Sequence, residues 1–201
     1  MNMRLPCIAA LALALGLSAC GTGSFGTPAS GFDFPQVAQS YVPLHARDWL
    51  LTTHDGASVV IAPGIAVTNA HNANMLDPAT VIGKLSDYDL LYYRTGKSAV
   101  LPTAVPAEGE AVIAYGQGTD GKLRVSRGVV HQFWPAAFGY ISDAGPGFSG
   151  GPVVDAKTGA LLGITYGFEG DPDAKTRLMV AYNMAFVMDR LAVVQGRAAP
   201  Q

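Results

Sequence analysis

Ten short β-favouring runs, each closed by a turn signal, constrain this 201-residue chain more than any other feature of its sequence. They fall at residues 49–53, 58–61, 65–68, 80–83, 90–93, 111–115, 123–130, 152–154, 161–165 and 177–182. His54-Asp55-Gly56, Ala62-Pro63-Gly64, Thr119-Asp120-Gly121 and Lys157-Thr158-Gly159 are combinations that suit hairpin turns. Many short strands at this spacing predict an antiparallel all-β sandwich or barrel, and the 24 glycines and 13 prolines argue against a helical bundle. Only the C-terminal stretch has helical spacing. There Asn183 is placed to cap, and Phe186, Val187, Leu191 and Val194 share one face with Arg190.

The N-terminus is read apart from this body. Arg4 precedes an apolar run, Leu5 to Gly16, that is too short to span a bilayer and reads as a signal peptide over residues 1–19. Leu17-Ser18-Ala19-Cys20 resembles a bacterial lipobox, which implies cleavage before Cys20 and lipidation of its thiol; the plainer alternative is a secretory peptide with an incidental cysteine. Acyl chains at about 0.8 kcal/mol per buried CH2 would hold the protein to a lipid membrane. No Asp follows Cys20, so the expected location is the periplasmic side of an outer membrane. Cys7 lies in the signal and Cys20 carries the lipid, which leaves the mature domain without a thiol and therefore without a disulfide. Residues 20–44, rich in Gly, Ser, Thr and Pro, are expected to be a tether on which Phe32, Phe34 and Tyr41 can dock. Residues 45–195 are expected to be one domain and 196–201 a tail.

Charge excludes one class of partner. The formal charge is -2 and 14% of residues are charged, without the basic footprint of a nucleic-acid binder. The four histidines form no close pair and no cysteine pair accompanies them, so no metal is expected.

Chemistry concentrates at Gly145-Pro146-Gly147-Phe148-Ser149-Gly150-Gly151-Pro152. Glycines on both sides of one serine permit a tight turn that exposes the hydroxyl and converges N–H groups on one point. Taken alone, the stretch also suits a glycine-rich hairpin that happens to hold a serine. Its Gly-x-Ser-x-Gly pattern matches the nucleophile elbow of α/β-hydrolases, but those enzymes place their histidine after the serine. Here His45, His54, His71 and His131 all precede Ser149, and strand–helix alternation is missing. The order His, Asp, Ser fits a different arrangement. Val67-Thr68-Asn69-Ala70-His71 puts a histidine at the end of an apolar strand, and Asp87 and Asp89 stand at the entry to Leu90-Leu91-Tyr92-Tyr93. A serine hydroxyl needs a base within hydrogen-bond reach, and the base needs an orienting acid. Asp89 is preferred over Asp87 because it directly precedes the apolar run.

Val67-Thr68-Asn69-Ala70-His71, Asp89-Leu90-Leu91 and Gly147-Phe148-Ser149-Gly150-Gly151-Pro152 together resemble the trypsin-like (chymotrypsin-fold) serine peptidases. The likeness is to their disulfide-free bacterial branch of HtrA-type and glutamyl-endopeptidase-like enzymes. The resemblance implies a double six-stranded antiparallel β-barrel, here trimmed and followed by a C-terminal helix. It also implies a cofactor-free endopeptidase acting on protein or peptide substrates, with His71, Asp89 and Ser149 as triad and Gly147 and Ser149 as oxyanion donors. Thr165 and Tyr166 match the strand that pairs with substrate, where Tyr166 can narrow the pocket. Asp143, six positions before Ser149, matches the carboxylate at the base of a pocket for Arg or Lys. Two departures stand out. Phe148 replaces the aspartate that in trypsin pairs with a new N-terminus, and only 18 positions separate His71 from Asp89. That short connection leaves open a peptidase-like fold kept as an envelope binding module, and a hydrolase of esters or cell-wall peptides is a further alternative. His54 is expected in a turn and His131 at a strand end, while Trp49, Trp134, Tyr92 and Tyr93 read as core or rim.

Overall fold

Alternating side chains decide how the apolar runs are used. A computed structural model describes residues 25–47, 53–118, 120–171 and 174–196. Residues 1–19, Cys20, Trp49 and 197–201, with the signal, lipidation and tail expectations that fall on them, lie outside the described residues. The described chain runs β1 (Thr27–Pro28), α1 (Pro35–Ser40), β2 (Tyr41–Arg47), β3 (Thr53–Ala62), β4 (Ile65–Asn69), β5 (Val81–Leu85) and β6 (Leu90–Arg94). It continues through β7 (Ala111–Gln117), β8 (Leu123–Phe133), β9 (Ala137–Ser142), β10 (Pro152–Asp155), β11 (Leu161–Glu169), β12 (Arg177–Asn183) and α2 (Met184–Val194).

The strands make two antiparallel sheets. The first has the order β2-β3-β4-β6-β5. The second has the order β8-β7-β10-β11-β12-β9 and closes on itself because the long β8 also pairs with β9. The result is a closed six-stranded barrel beside a five-stranded sheet, a trimmed chymotrypsin-like double barrel with one C-terminal helix. The trimming falls on the first half, where five strands are described. β1 covers the free edge of β8 at Val125 and Arg124, which blunts an otherwise open edge.

The first sheet is buried on both faces. Val59 and Val67 point into a core shared with Ile113, Tyr115, Val154 and Ile164 of the barrel, whereas Val60, Ala66 and Leu91 point to the other side. Both registers of the period-2 alternation are apolar here, so these strands read as continuous hydrophobic runs. Each fully buried aliphatic or aromatic side chain contributes about 1.5–3 kcal/mol. The barrel interior is filled by Phe138, Tyr140, Phe148, Val153, Leu162 and Met179. Asn183 caps α2 by accepting from Phe186 N at 2.9 Å, and Met184, Val187 and Leu191 are its buried face. Among the described residues no helix is long and apolar enough to cross a membrane.

Three local expectations change. His54-Asp55-Gly56 is not a turn but part of β3, because β2 pairs along it (Leu44 with Gly56, His45 with Asp55, Ala46 with His54). Residues 25–44 are not a free tether from Phe25 onward. Val37, Tyr41 and Leu44 are buried, and Phe32 packs on Tyr41 and Tyr115 at ring separations of 5.2 and 5.1 Å. The body therefore begins about twenty residues earlier than composition suggests, because aromatics spaced through a polar segment each find a seat. β9 is an added strand, where Gly139 faces Leu178 with no room for a larger side chain.

Asp33 fastens this segment to the barrel. Its carboxylate accepts from Tyr115 Oη at 2.8 Å and from Arg127 Nη2 at 2.5 Å. Burial raises the Asp33 pKa, but the hydrogen bonds from Arg127 and Tyr115 outweigh it and hold the carboxyl below its usual value. A pKa lowered by folding contributes stability that is complete above the unfolded value, about 3.9 for Asp, and is lost as pH falls through the folded value. Asp33→Asn is expected to lower the melting temperature by about 2–4 °C at neutral pH. The gap to the unsubstituted protein should shrink as pH falls below the unfolded value and close below the lower folded one; a gap that stays constant in acid would remove the ionic part of this account.

Candidate active site

β4 delivers His71. The strand ends at Asn69, and a 3-10 turn over Ala70–Met75 carries the histidine out of the sheet. β4 and β6 are neighbours with Asn69 opposite Leu90, so the residue before Leu90 arrives beside the residue after Ala70. Ala70 N and Asn69 Nδ2 both donate to Asp89 O, at 3.0 and 3.1 Å. Asp89 itself has φ 49° and ψ 40°, in the left-handed region. Among the described residues no other non-glycine has a positive φ. Aspartate is one of the few side chains that tolerate this region. Here it reverses the chain after the short turn Ser86–Tyr88 and brings the carboxylate back to His71.

Both carboxylate oxygens are used. Asp89 Oδ1 accepts from His71 N at 2.9 Å, and Oδ2 lies 2.7 Å from His71 Nδ1. One residue thus fixes the backbone and the ring of the histidine, and the short His–Asp connection does not prevent the pairing. Asp87 is exposed in the turn.

The serine loop is held by backbone contacts on both sides. Gly147, at φ 91°, presses on β7, where a Cβ would overlap Gln117 O, and its carbonyl accepts from Gln117 N at 2.9 Å. Gly150, at φ 79°, fits against Ala57 O and the Thr68 hydroxyl with no space for a side chain. Ser149 O accepts from Ala57 N at 3.0 Å and from Asn72 Nδ2 at 3.1 Å. Gly150 N and Thr165 O join the loop to β11 at 2.8 Å. The N–H groups of Gly147 and Ser149 donate to no acceptor among the described residues.

His71 and Ser149 line one cleft of about 700 Å³ between the two halves, with Thr165, Tyr166, Phe168 and Met179 on the barrel side. That volume is in the range of substrate pockets. Thr165 is buried, with Oγ1 2.9 Å from Tyr140 Oη. Tyr166 sits at a β-bulge between Thr165 and Gly167, which turns an extra residue out of the ladder. It stacks on Tyr182 at 4.2 Å, and Tyr182 stacks in turn on Phe186. Burial, with the nearby Tyr166 and the Asp89 charge, pushes the Tyr182 hydroxyl up to about 12, and burial and Glu169 also raise Tyr166. Both phenols stay neutral at physiological pH.

Asp143 is not on this cleft. Its carboxylate accepts from Ser126 Oγ at 2.5 Å and lines a separate hollow with Thr27, Val125, Arg127 and Thr176. The Asp143 carbonyl accepts from Gly26 N at 3.0 Å, so both the backbone and the carboxylate of this residue are engaged away from the cleft. The expected acidic side chain is therefore not part of this cleft, whose lining includes Met179 and Phe168 instead. Sequence reasoning missed Asn72, which is buried and also donates to Thr68 Oγ1 at 2.9 Å, linking the histidine turn to the serine loop. Its adjacency to His71 was the available signal. It also missed His54 and Asp55, which line the same cleft. No three His, Cys, Asp or Glu side chains come together as metal ligands among the described residues.

The architecture is that of the trypsin-like serine peptidases. A serine endoprotease from Yersinia pestis superposes with a TM-score of 0.67 at 18% identity, over 84% of this chain and 70% of that one. The Rv3671c protease of M. tuberculosis in its active form superposes at 0.66 and 22% identity, over 88% and 90%. The HtrA-type protease AlgW with a tripeptide superposes at 0.64 and 16% identity, over 81% and 64%. No protein-family model matches the chain, and no curated protein matches it, so the likeness is carried by the fold.

Proposed function

We propose that this chain is a serine endopeptidase that cleaves envelope or extracytoplasmic proteins through His71, Asp89 and Ser149. The observation that carries the reading is His71, whose backbone N–H and imidazole Nδ1 are each held by one oxygen of Asp89, in the cleft that Ser149 also lines. In this mechanism Ser149 Oγ attacks the scissile carbonyl carbon while His71 Nε2 takes the hydroxyl proton. Asp89 keeps the proton on Nδ1 and stabilises the imidazolium. The oxyanion is met by the N–H groups of Gly147 and Ser149, which have no competing acceptor among the described residues. Collapse breaks the C–N bond, and the imidazolium protonates the leaving amine. Water activated by His71 then attacks the acyl-enzyme, releases the acid and restores the Ser149 hydroxyl.

The lining supports apolar rather than basic selectivity, since Tyr166, Phe168 and Met179 face the cleft and Asp143 does not. The same reading keeps Cys20 as the lipid anchor, on the periplasmic side of an outer membrane. Ser149 Oγ and His71 share no hydrogen bond here, an observation that favours the second reading, a peptidase-like binding module. Such bonds are commonly long before substrate aligns them.

The test is fluorophosphonate treatment of the purified protein near neutral pH, followed by incubation with a denatured protein mixture and mapping of new termini. The label is expected on Ser149, with cuts following apolar residues. Label without cuts would indicate ester or cell-wall substrates, and neither label nor cuts would leave the binding module.

A further inference from the structure

The segment ahead of α1 reaches the serine loop from its outer side. The Phe25 ring fills the space beside Gly145 where a Cβ would otherwise lie, and Gly145 begins the loop. Gly26, at φ 63°, lies under the Phe148 ring, where a Cβ would come within 2.7 Å of Phe148 Cζ. Nearer its root, at Cγ and Cα, Phe148 meets Gly116, which also has no room for a side chain. Phe148 is thus fully buried between two glycines, one from β7 and one from the N-terminal segment. Its flanking residues, Gly147 and Ser149, own the two N–H groups that donate to no acceptor among the described residues. Gly26 N donates to Asp143 O at 3.0 Å, Arg124 Nη1 to Gly26 O at 3.4 Å, and Ala29 N to Leu123 O at 3.1 Å. The Arg177 guanidinium, itself buried, stacks 4.5 Å over the Phe25 ring, a cation–π contact that also shields the ring.

We propose that residues 25–28 are a positioning element for the serine loop, with Phe25 and Gly26 holding Gly145 and Phe148 so that the Gly147 and Ser149 N–H groups stay aimed into the cleft. The proposal deepens the peptidase reading and rests on it for its catalytic consequence. Its structural consequence stands alone: a loop braced on one side by β7 and Asn72 loses its other brace when Phe25 is truncated. Oxyanion donors act through preorganisation, so loosening them lowers turnover more than substrate binding.

The experiment compares the full chain with Phe25→Ala and Phe25→Leu by hydrogen–deuterium exchange, thermal melting and peptidase kinetics. In Phe25→Ala, amides of residues 145–151 are expected to exchange about tenfold faster, while peptides from β3, β4 and β6 keep their protection. The kcat should fall about tenfold to a hundredfold with KM within about twofold, and Phe25→Leu should recover part of both. Unchanged exchange in 145–151 overturns the proposal whether or not the protein is active. Loss of protection across both sheets in both variants overturns it too, in favour of a purely structural role. If Phe25→Ala fails to fold, Phe25→Leu decides by an intermediate, loop-confined increase or its absence. A wild-type protein that does not label, yet shows the loop-confined change, removes the peptidase reading and leaves the brace.

Discussion

Ser149→Ala is expected to abolish fluorophosphonate labelling and to lower peptide hydrolysis about a millionfold, the loss typical of a nucleophile acting as one unit with its base. The structural contribution of residue 149 is made by its backbone, since its carbonyl accepts from Ala57 N and Asn72 Nδ2. Its hydroxyl donates to no acceptor among the described residues. Removing Oγ therefore deletes the reacting atom and little else, and the melting temperature should move by no more than about 2 °C. Activity that survives in the alanine variant at more than a hundredth of the original rate would show that another group performs the attack.

Asp89→Asn should cost about ten-thousandfold in kcat, again with the fold retained. Asparagine tolerates the left-handed backbone that residue 89 adopts, and its side-chain oxygen can still accept from His71 N. The amide nitrogen then faces Nδ1 as a donor. The imidazole is forced to carry its proton on Nε2, where it can no longer accept one from Ser149. Asp87→Asn, at an exposed turn position, is the matched control and should leave kcat within about twofold. Comparable losses in the two variants would mean that Asp89 does not orient the base; a loss in Asp89→Asn below about tenfold would say the same.

Much of this was legible in the sequence, for physical reasons. Runs such as 65–68 and 161–165 carry apolar residues between strong turn signals, so their strands are specified locally. The serine loop was legible because its glycines answer geometric demands that no other residue meets at positive φ. The His71–Asp89 pair followed from both residues standing at the ends of apolar runs that become adjacent strands. What escaped reading depends on distant contacts. His54-Asp55-Gly56 has a turn's composition, yet pairing with β2 makes it strand. β2 itself was hidden in a stretch rich in Ser and Pro, where only Phe32, Phe34 and Tyr41 hinted at docking. Asp143 is held by two distant contacts, Ser126 Oγ on its carboxylate and Gly26 N on its carbonyl, which no local pattern encodes.

Each end of the described chain crosses to the half it does not chiefly build. β1 joins the barrel before β2 opens the five-stranded sheet. At the other terminus α2 leaves the barrel and lays Val194 against Gly83 of β5, while Tyr92 donates to Val187 O at 2.7 Å. The polypeptide is laced like a pair of crossed arms. A backbone break near the exposed Val105, in the connector between β6 and β7, would therefore leave a single particle, and the two fragments could be supplied as separate polypeptides that find each other.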